Sequence, residues 1–351
     1  MAWEIAIHPA PPRETPIPWE SLPFGRIFGQ HMALAEYREG RWQQARIEPF
    51  HDLTLPPGTS ALHYGQALFE GMKAYRRTDG TRFVFRLRDH WERLNRSAAR
   101  LTMPEVPYEL FSELLQTLLH REENFFPPSL QQALYIRPVY FATDPWLGVR
   151  PSETYLLLIY VTPVGPYYSG EVRAFVEPEL TRAAIGGTGA IKAAGNYAAA
   201  LLSTKKAQAV GCSVSLWLDA THRELIEEFS TMNAFFVEKG GRLLTPPLER
   251  GTILAGITRD TILFLAAKVG LEVEERELSI YEITEGIAQG RITEVFGTGT
   301  AATIMPVRAL YFAGKFWTLP SENPVAQKLA QAYRALLSGD IPAPAGWIHR
   351  V

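Results

Sequence analysis

Short apolar runs with strand character recur along the first half of the chain. HMALAEY (31–37) is a short strand-like piece, and TRFVFRL (81–87) has the alternating pattern of a strand. QALYIRPVYFA (132–142) is a further strand candidate, and the continuous apolar run YLLLIYV (155–161) indicates a buried strand. These runs predict strands that are separated by loops and helices.

Helical periodicity appears between and after these strands. Within 88–101 the apolar residues recur at helical spacing, and Asp89 is a candidate N-cap. A second helix is expected near 108–121. The segments 196–211 and 258–270 also have helical patterns, and each closes on a glycine, which often follows a helix C-terminus.

A loop-like segment, TPVGPYYSGE (162–171), is rich in Pro, Gly and Ser and is predicted to mark a domain boundary. Beyond it, the strand candidates CSVSLWLD, AFFVEKGGRLLTPP and ITEVFGTGT alternate with the helices. A length of 351 residues also favours two domains over one. We therefore expect two α+β domains with a cleft between them, where a ligand usually binds.

Composition narrows the class of protein. The 35 Lys and Arg residues nearly balance the 37 Asp and Glu residues, and a net charge of −2 argues against a general nucleic-acid-binding protein. A charged fraction of 21% is slightly low and indicates an additional buried surface, such as a subunit interface. The single cysteine, Cys212, cannot form an internal disulfide, and we expect it to be a small buried apolar residue.

Targeting and metal signals are not recognised in the sequence. The start, MAWEIAIHPAPPRE, lacks the pattern of a signal peptide, and the longest apolar runs are too short to cross a bilayer. We therefore expect a cytoplasmic protein with no membrane partner. His63 and His90 have no partner at metal-ligand spacing, so no metal site is predicted.

Lys192 is a candidate for covalent chemistry. It lies in GGTGAIKAAGNYAAALL (186–202), where its nearest neighbours are Gly, Ala and Ile. An apolar setting lowers the pKa of a lysine from about 10.4, and a neutral amine can form a Schiff base with an aldehyde. The alternative is a solvated lysine before a helix. GGTG also resembles a dinucleotide-binding loop, but it lacks the full glycine spacing of that loop.

Other polar residues are candidates for binding charged groups. Glu227 or Glu228 could be buried and hold a cationic nitrogen, and a solvated turn is the alternative. The amides of GTGTA (297–301) and the helix start in LAGITRDTILF (254–264) are candidate anion sites, with a plain turn and a plain cap as alternatives.

Two arginines are candidate anion ligands. Arg93 in HWERL and Arg137 in YIRPVY could each hold a phosphate or carboxylate through two N–H groups. A solvated helix face and a cross-strand salt bridge are the respective alternatives.

These strings together resemble the branched-chain-amino-acid aminotransferases, which are fold-type-IV enzymes that use pyridoxal 5'-phosphate (PLP). The resemblance runs from about residue 26 to about residue 345. It is carried by ALHYGQALFEGMKAY, HWERL, YIRPVY, VGPYY, GGTGAIKAAGNYAAAL, EEFSTMNAFFV, GITRD and FGTGTAATIMPV, in matching order and spacing.

The resemblance implies an α+β fold with two domains. A smaller N-terminal α/β sandwich domain would cover residues 1–163, a linker 164–174, and a larger PLP-binding pseudo-barrel domain 175–351. The resemblance also implies a homodimer.

The resemblance further implies how PLP is held. Lys192 would form the Schiff base and move the proton during the reaction. Glu228 would keep the pyridine nitrogen protonated, and Tyr197, which by itself indicates only a core aromatic residue, would bind the ring hydroxyl oxygen. The implied phosphate ligands are Arg93, the amides of Ile257 and Thr258, and Thr300.

The resemblance also implies the substrate contacts. The pocket for a Leu, Ile or Val side chain would be lined by Tyr64, Phe69, Tyr167 and Val149, with Val149 from the partner subunit. The α-carboxylate would be bound by Tyr135 and by the amides of Thr300 and Ala301. Arg137 would bind the distal carboxylate of glutamate, because a buried charge without a partner is costly.

The implied reaction is ping-pong transamination between branched-chain L-amino acids and 2-oxoglutarate. A D-amino-acid aminotransferase, an aminodeoxychorismate lyase, a PLP-binding protein without turnover and a nicotinamide oxidoreductase are the alternatives. The strings YIRP, STMN and GTGTA argue against the first two. Three residues differ from the usual family pattern, and none of them belongs to the implied catalytic residues: Phe229, Ser230 and Ala255.

Overall fold

The computed structural model describes residues 3–11, 16–22, 24–165 and 171–351. These residues form two compact units. Unit 1 contains the described residues up to 165 together with 192–195 and 343–351, and unit 2 contains 171–191 and 196–342. None of the helices in these ranges combines the length and hydropathy that crossing a bilayer requires.

Unit 1 is built on a nine-stranded sheet. Its strands are β1 (Ala6–Ile7), β2 (His31–Arg38), β3 (Arg41–Pro49), β4 (Ala67–Phe69), β5 (Met72–Arg76), β6 (Arg82–Phe85), β7 (Ala133–Ala142), β8 (Tyr155–Val164) and β18 (Ile348–Arg350). Its helices are α1 (Ser60–Tyr64), α2 (Leu87–Arg100) and α3 (Tyr108–Arg121), and a 3-10 turn covers Glu123–Phe125. The order is β1-β3-β2-β8-β7-β5-β6-β18, with β4 beside β7. Every pair is antiparallel except β1 with β3.

The sheet of unit 1 buries apolar residues on both faces. Successive side chains of a strand point to opposite faces. Ala33 and Ala35 of β2 therefore join the large core with α2 and α3, whereas Met32 and Leu34 join a smaller cluster on the other side. This arrangement fixes the strand register, because a shift by one residue would exchange the two sets.

Unit 2 contains a closed six-stranded barrel. The nine-stranded sheet of unit 2, of which six strands form the barrel, consists of β9 (Val172–Val176), β10 (Val214–Leu218), β11 (Ile226–Phe229), β12 (Met232–Glu238), β13 (Leu243–Thr245), β14 (Val273–Glu275), β15 (Ile292–Gly299), β16 (Thr303–Phe312) and β17 (Lys315–Thr318). The barrel runs β11-β10-β9-β16-β15-β12 and closes where β12 pairs with β11. Closure satisfies the strand edges that an open sheet would expose.

Five helices follow β9 in the chain. They are α4 (Ala194–Ala199), α5 (Leu201–Ala209), α6 (Ile257–Lys268), α7 (Ile280–Ala288) and α8 (Pro324–Ser338). The first two residues of α4 belong to unit 1 and the rest of these helices to unit 2. The barrel and the mixture of helices and strands confirm the predicted α+β fold class.

Several elements lie where the sequence predicts them. The helix expected near 108–121 is α3, and the strand expected over 132–142 is β7. The helix expected over 196–211 is instead the pair α4 and α5, interrupted at Ala200. Gly211 and Gly270 follow the ends of α5 and α6 with φ of +74° and +73°, as expected of glycines after a helix.

The predicted N-cap of α2 is wrong. The helix begins at Leu87, and its N-cap is Arg86, whose φ is +58°. Asp89 lies inside the first turn and accepts hydrogen bonds of 2.8 and 2.9 Å from the Arg86 guanidinium. A carboxylate in the first turn is still favourable, because it faces the positive end of the helix dipole.

The division of the chain is less simple than two consecutive segments. The final strand β18 pairs with β6 in unit 1, with Ile348 opposite Phe85, although the sequence assigns it to the second domain. Strand β9 begins at Val172, so the last residues of the predicted linker 164–174 belong to the barrel. Local composition does not reveal that β18 pairs with β6 or that β9 joins the barrel, because the strands that pair are distant in sequence.

Candidate active site

Unit 1 brings the predicted lysine and the predicted substrate arginine to one aromatic ring. The Lys192 carbonyl accepts a hydrogen bond from the Phe69 amide at 3.2 Å, and the Lys192 amide donates to Ser97 Oγ at 3.1 Å. Lys192 Nζ lies 4.9 Å from the centre of the Phe69 ring. Arg137 Cζ lies 4.8 Å from the same ring centre. An amine, an apolar surface and a guanidinium thus lie together.

Tyr135 extends this group along β7. It lies two residues before Arg137, on the same face of the strand, and Arg137 Nη2 donates to its hydroxyl at 3.2 Å. A Cβ on Gly71 would lie 1.9 Å from the Tyr135 hydroxyl. A residue larger than glycine at position 71 would therefore clash with the Tyr135 hydroxyl in this position.

Arg93 is buried on α2 and is paired with Glu70, a residue that the sequence did not single out. Its Nε donates to Glu70 Oε1 at 2.7 Å and its Nη2 to Oε2 at 2.9 Å. His90 Nδ1 lies 2.8 Å from the same Oε2. We call Glu70, His90 and Arg93 the Glu70 cluster.

Charge in the Glu70 cluster follows from burial and pairing. Burial raises the pKa of Glu70, but the Arg93 charge and the hydrogen bonds from His90 and Arg93 outweigh it and hold this pKa well below its usual range. Burial lowers the pKa of His90, so its ring is neutral at pH 7. An ionised carboxylate can only accept hydrogen bonds. His90 Nδ1 therefore carries the hydrogen and donates a hydrogen bond to Glu70.

Tyr64 and Val149, the other described residues of unit 1 that are predicted to bind substrate, lie at its surface. The Tyr64 hydroxyl donates to the Leu147 carbonyl. Val149 is 85% exposed, so it is not packed against residues of its own unit. Tyr167 lies outside the described residues.

Unit 2 buries Glu228 on β11 among specific partners. Glu228 Oε1 lies 2.8 Å from Arg182 Nη2 and accepts from the Leu254 amide at 3.3 Å. Its Oε2 accepts from Asn233 Nδ2 at 3.2 Å. Because both oxygens have donors and one donor is charged, this buried carboxylate is stabilised as an anion.

Asn233 connects Glu228 to the candidate phosphate site of unit 2. Its Nδ2 also donates to the Leu254 carbonyl at 2.9 Å, and it pairs across β12 and β15 with Thr298. A Cβ on Gly256 would lie 1.9 Å from Asn233 Oδ1. Glycine at this position therefore allows the start of α6 to approach the carboxamide.

The start of α6 has the features of an anion site. Its N-cap, Gly256, provides no side chain to cap the helix, and Ile257 and Thr258 are buried in the first turn. Thr300 and Ala301 lie in the turn between β15 and β16 and are half-buried. Thr298 Oγ1, at the end of β15, is buried with no hydrogen-bond partner in the described ranges. Helix amides and an unused hydroxyl fit a phosphate group.

The loop before Lys192 is shaped by a single side chain. Asn196 Nδ2 donates to the carbonyls of Thr188 and Ile191 at 2.7 and 3.0 Å, and its Oδ1 accepts from the Thr188 hydroxyl at 2.7 Å. The predicted Tyr197 follows it in α4 and is half-buried. These bonds give the glycine-rich segment a defined backbone path towards the lysine.

Sequence analysis did not predict three residues that contact the predicted site residues Arg93 and Glu228: Glu70, Arg182 and Asn233. The sequence contains one indication that Glu70 has a partner, since a glutamate inside the apolar string LFEGM needs a cationic partner if it is buried. Local patterns do not indicate Arg182 or Asn233. Both contact Glu228, which lies 46 positions from Arg182 and 5 positions from Asn233 in the sequence.

Two other predicted features can be compared with the structure. Cys212 is buried, as predicted, and burial raises the pKa of its thiol to about 11. The described part of the chain contains no group of three or more His, Cys, Asp or Glu residues arranged to hold a metal ion.

Comparison with known proteins identifies the family. Residues 67–310 match the family described as Amino-transferase class IV. The branched-chain-amino-acid transaminase 1 of Bacillus subtilis is 42% identical over 342 residues, which cover 95% of this chain and 95% of that protein. The chain belongs to the class IV aminotransferases. This membership confirms the family resemblance seen in the sequence.

Solved structures of this aminotransferase family have the same fold. The branched-chain amino acid aminotransferase of Escherichia coli is 30% identical with a TM-score of 0.75, over 92% of this chain and 99% of that one. The enzyme of Thermobaculum terrenum, described in its PLP form, is 26% identical with a TM-score of 0.75, over 92% and 98%. Class IV aminotransferases are PLP-dependent, so the predicted cofactor is confirmed at the level of the family.

Proposed function

We propose that this aminotransferase moves the amino group between branched-chain L-amino acids and 2-oxoglutarate, in a ping-pong reaction with PLP. The Phe69 ring of unit 1 supports this most directly, because Lys192 Nζ and Arg137 Cζ lie 4.9 and 4.8 Å from its centre. A site that accepts apolar and acidic side chains in turn needs an apolar wall with a cation beside it.

Lys192 is the residue that we propose for the reaction itself. PLP supplies the electron sink that stabilises negative charge at the substrate Cα. Lys192 Nζ attaches the cofactor and, once released, carries the proton from the substrate Cα. Its backbone bonds to Phe69 and Ser97 fix the position of the backbone from which this side chain extends.

Glu228 is proposed to face the pyridine nitrogen of the cofactor. Its partners Arg182 and Asn233 hold the carboxylate as an oriented anion, and an anion favours the protonated ring nitrogen. Tyr197 is proposed to donate to the ring hydroxyl oxygen.

The phosphate is proposed to bind cationic and helix-terminal groups. The residues are Arg93, the amides of Ile257 and Thr258, and Thr300. A helix N-terminus stabilises a bound anion by about 0.3–2 kcal/mol, so the guanidinium of Arg93 is expected to add a comparable or larger contribution.

Substrate selection is proposed to use the residues that the resemblance implies. Tyr64, Phe69, Tyr167 and Val149 contact the apolar side chain. Tyr135 and the amides of Thr300 and Ala301 bind the α-carboxylate, and Arg137 binds the distal carboxylate of glutamate.

A cytoplasmic homodimer is also part of the proposal. Val149 would reach the site of the partner subunit, which agrees with its exposure of 85% in the single chain. Trp146 and Leu147 of the same loop are also exposed, and exposed apolar groups of this kind mark interaction surfaces.

A half-reaction followed by absorbance tests the proposed function. L-leucine added to the purified PLP-bound protein is expected to convert the cofactor to its amine form, and 2-oxoglutarate is expected to restore the original spectrum. D-alanine is the control and is expected to leave the spectrum unchanged. A response to D-alanine but not to L-leucine would favour a D-amino-acid aminotransferase, and no response to either would favour a binding protein without turnover.

A further inference from the structure

We propose that Glu70 is a positioning residue that fixes Arg93 for recognition of the cofactor phosphate. This inference rests on the proposed function, which makes Arg93 a phosphate ligand. It assigns a role to a residue that would not itself touch the cofactor.

The contact between Glu70 and Arg93 determines the plane of the guanidinium. Nε and Nη2 donate to the two carboxylate oxygens at 2.7 and 2.9 Å. A planar guanidinium held through two parallel hydrogen bonds has a fixed orientation, whereas a free arginine samples many rotamers. Arg93 therefore does not need to be ordered again when an anion binds.

The carboxylate of Glu70 is itself held in place. Its Oε2 accepts from Arg93 Nη2, from His90 Nδ1 at 2.8 Å and from the Gly71 amide at 3.1 Å. The Glu70 residue is fully buried. A carboxylate with this many donors stays ionised and does not rotate, so it can act as a rigid support for Arg93.

The Glu70 cluster is joined to the lysine through α2. Ser97 Oγ donates to the Arg93 carbonyl at 2.9 Å and accepts from the Lys192 amide at 3.1 Å. The Lys192 charge also contributes to the lowered pKa of His90. Glu70 thus supports an arginine whose backbone is tied to the residue that is proposed to attach PLP.

A purely structural ion pair would have a different consequence from a positioning role. Loss of a structural pair would weaken every ligand of the site to the same extent. Loss of Arg93 orientation would weaken ligands with a phosphate and leave the corresponding ligand without a phosphate unchanged. PLP and pyridoxal differ by that phosphate and therefore separate the two cases.

The test measures dissociation constants of PLP and pyridoxal by absorbance titration of apoprotein. Glu70→Gln keeps the shape of the side chain and removes its charge. We expect PLP binding to weaken about tenfold, the effect of a lost charge-assisted hydrogen bond, with pyridoxal binding unchanged. Inorganic phosphate should also compete less well with PLP in this variant than in the wild type.

Asp89→Asn is the matched control. Asp89 also holds an arginine through two hydrogen bonds, of 2.8 and 2.9 Å, but its partner is Arg86, the N-cap of α2. Both dissociation constants should keep their wild-type values in this variant. The double variant Glu70→Gln with Arg93→Met should bind PLP no more weakly than Arg93→Met alone.

Equal weakening of PLP and pyridoxal by Glu70→Gln, or unchanged PLP binding, overturns the positioning role. If Glu70→Gln does not fold, Glu70→Asp gives the same comparison, because the shorter side chain keeps the charge and loses the two-point contact. If Arg93→Met leaves the ratio of PLP to pyridoxal affinity unchanged, Arg93 is not a phosphate ligand and that part of the proposed function fails. If only the Glu70 variants leave the ratio unchanged, the inference alone fails.

Discussion

At the scale of single residues, Arg137 has the most direct consequence for substrate choice. Its Cζ lies 4.8 Å from the ring centre of Phe69 and 5.4 Å from that of Tyr135. Aromatic faces stabilise a cation without neutralising it. The guanidinium can therefore remain beside an apolar side chain and still attract a carboxylate.

Arg137→Ala is expected to reduce kcat/KM for glutamate about 10- to 100-fold more than kcat/KM for leucine, because only glutamate loses a charge-assisted hydrogen bond. Steady-state kinetics with both amino acids measure this ratio. Arg77→Ala is the matched control, since Arg77 lies 5.0 Å from the ring centre of Phe83. An equal loss for both substrates in Arg137→Ala would contradict the assigned role.

The residues that could be predicted from sequence are those with a local signal. Lys192 stands out because its neighbours are small and apolar, and Glu228 because it precedes an apolar strand. Arg182 and Asn233 have no such pattern, and Glu70 is marked only by its place in the apolar string LFEGM, since the roles of all three depend on partners that the fold brings near. The sequence thus predicted the residues that are proposed to contact the cofactor. It did not predict the residues that hold those side chains in place.

At the scale of elements, patterns of period two and 3.6 predicted α3 and β7 well. The break between α4 and α5 was missed, because alanine-rich sequence shows no breaker at Ala200. The pattern of each strand by itself likewise did not predict that β11 and β12 pair and close the barrel, since pairing depends on register and not on composition.

The turn after β10 provides a pH-dependent test at this scale. Asp219 accepts hydrogen bonds from the amides of Thr221, His222, Glu224 and Leu225. Burial raises the pKa of Asp219, but the backbone hydrogen bonds outweigh it and lower the pKa from 3.8 to about 2. A lowered pKa in the folded state means that the carboxylate stabilises the fold above pH 3.8 and that this stability is lost as the pH falls towards 2.

Asp219→Asn is therefore expected to lower the free energy of unfolding above pH 4 by on the order of 1 kcal/mol and to flatten its decline below that pH. Urea unfolding at several pH values measures both effects. Asp79→Asn is the control, because Asp79 accepts only one backbone amide hydrogen bond in an exposed turn. A decline in Asp219→Asn as steep as that of the wild type would contradict the argument.

At the scale of the whole molecule, the loop that carries Trp146, Leu147 and Val149 is the most exposed apolar segment among the described residues of unit 1. Apolar groups of this size are usually covered in an assembly. Asp144 holds the base of this loop, since it accepts from the Glu153 amide at 2.8 Å and from the Thr154 hydroxyl at 2.9 Å. The base of the loop is thus ordered within the single chain, as contact with the proposed second subunit would require.

Leu147→Glu is expected to convert the proposed homodimer to monomers, because a charge would be buried without a partner. Sedimentation or light scattering at several concentrations measures the mass. Tyr281→Glu is the control, since Tyr281 is an exposed aromatic residue of unit 2 and is not part of this loop. A wild-type protein that is monomeric, or a Leu147→Glu variant that stays dimeric, would contradict the proposal.

The lysine that holds PLP can be identified directly, and the chain contains a second candidate besides Lys192. Lys73 is buried on β5, and burial lowers its pKa to about 8, so a small fraction of its amine is neutral near pH 7. Borohydride reduction of the PLP-bound protein, followed by peptide mass mapping, distinguishes the two. We predict that the reduced cofactor lies on the Lys192 peptide, that Lys192→Ala loses it, and that Lys73→Met retains it. Label on the Lys73 peptide, or label retained in Lys192→Ala, would contradict the account.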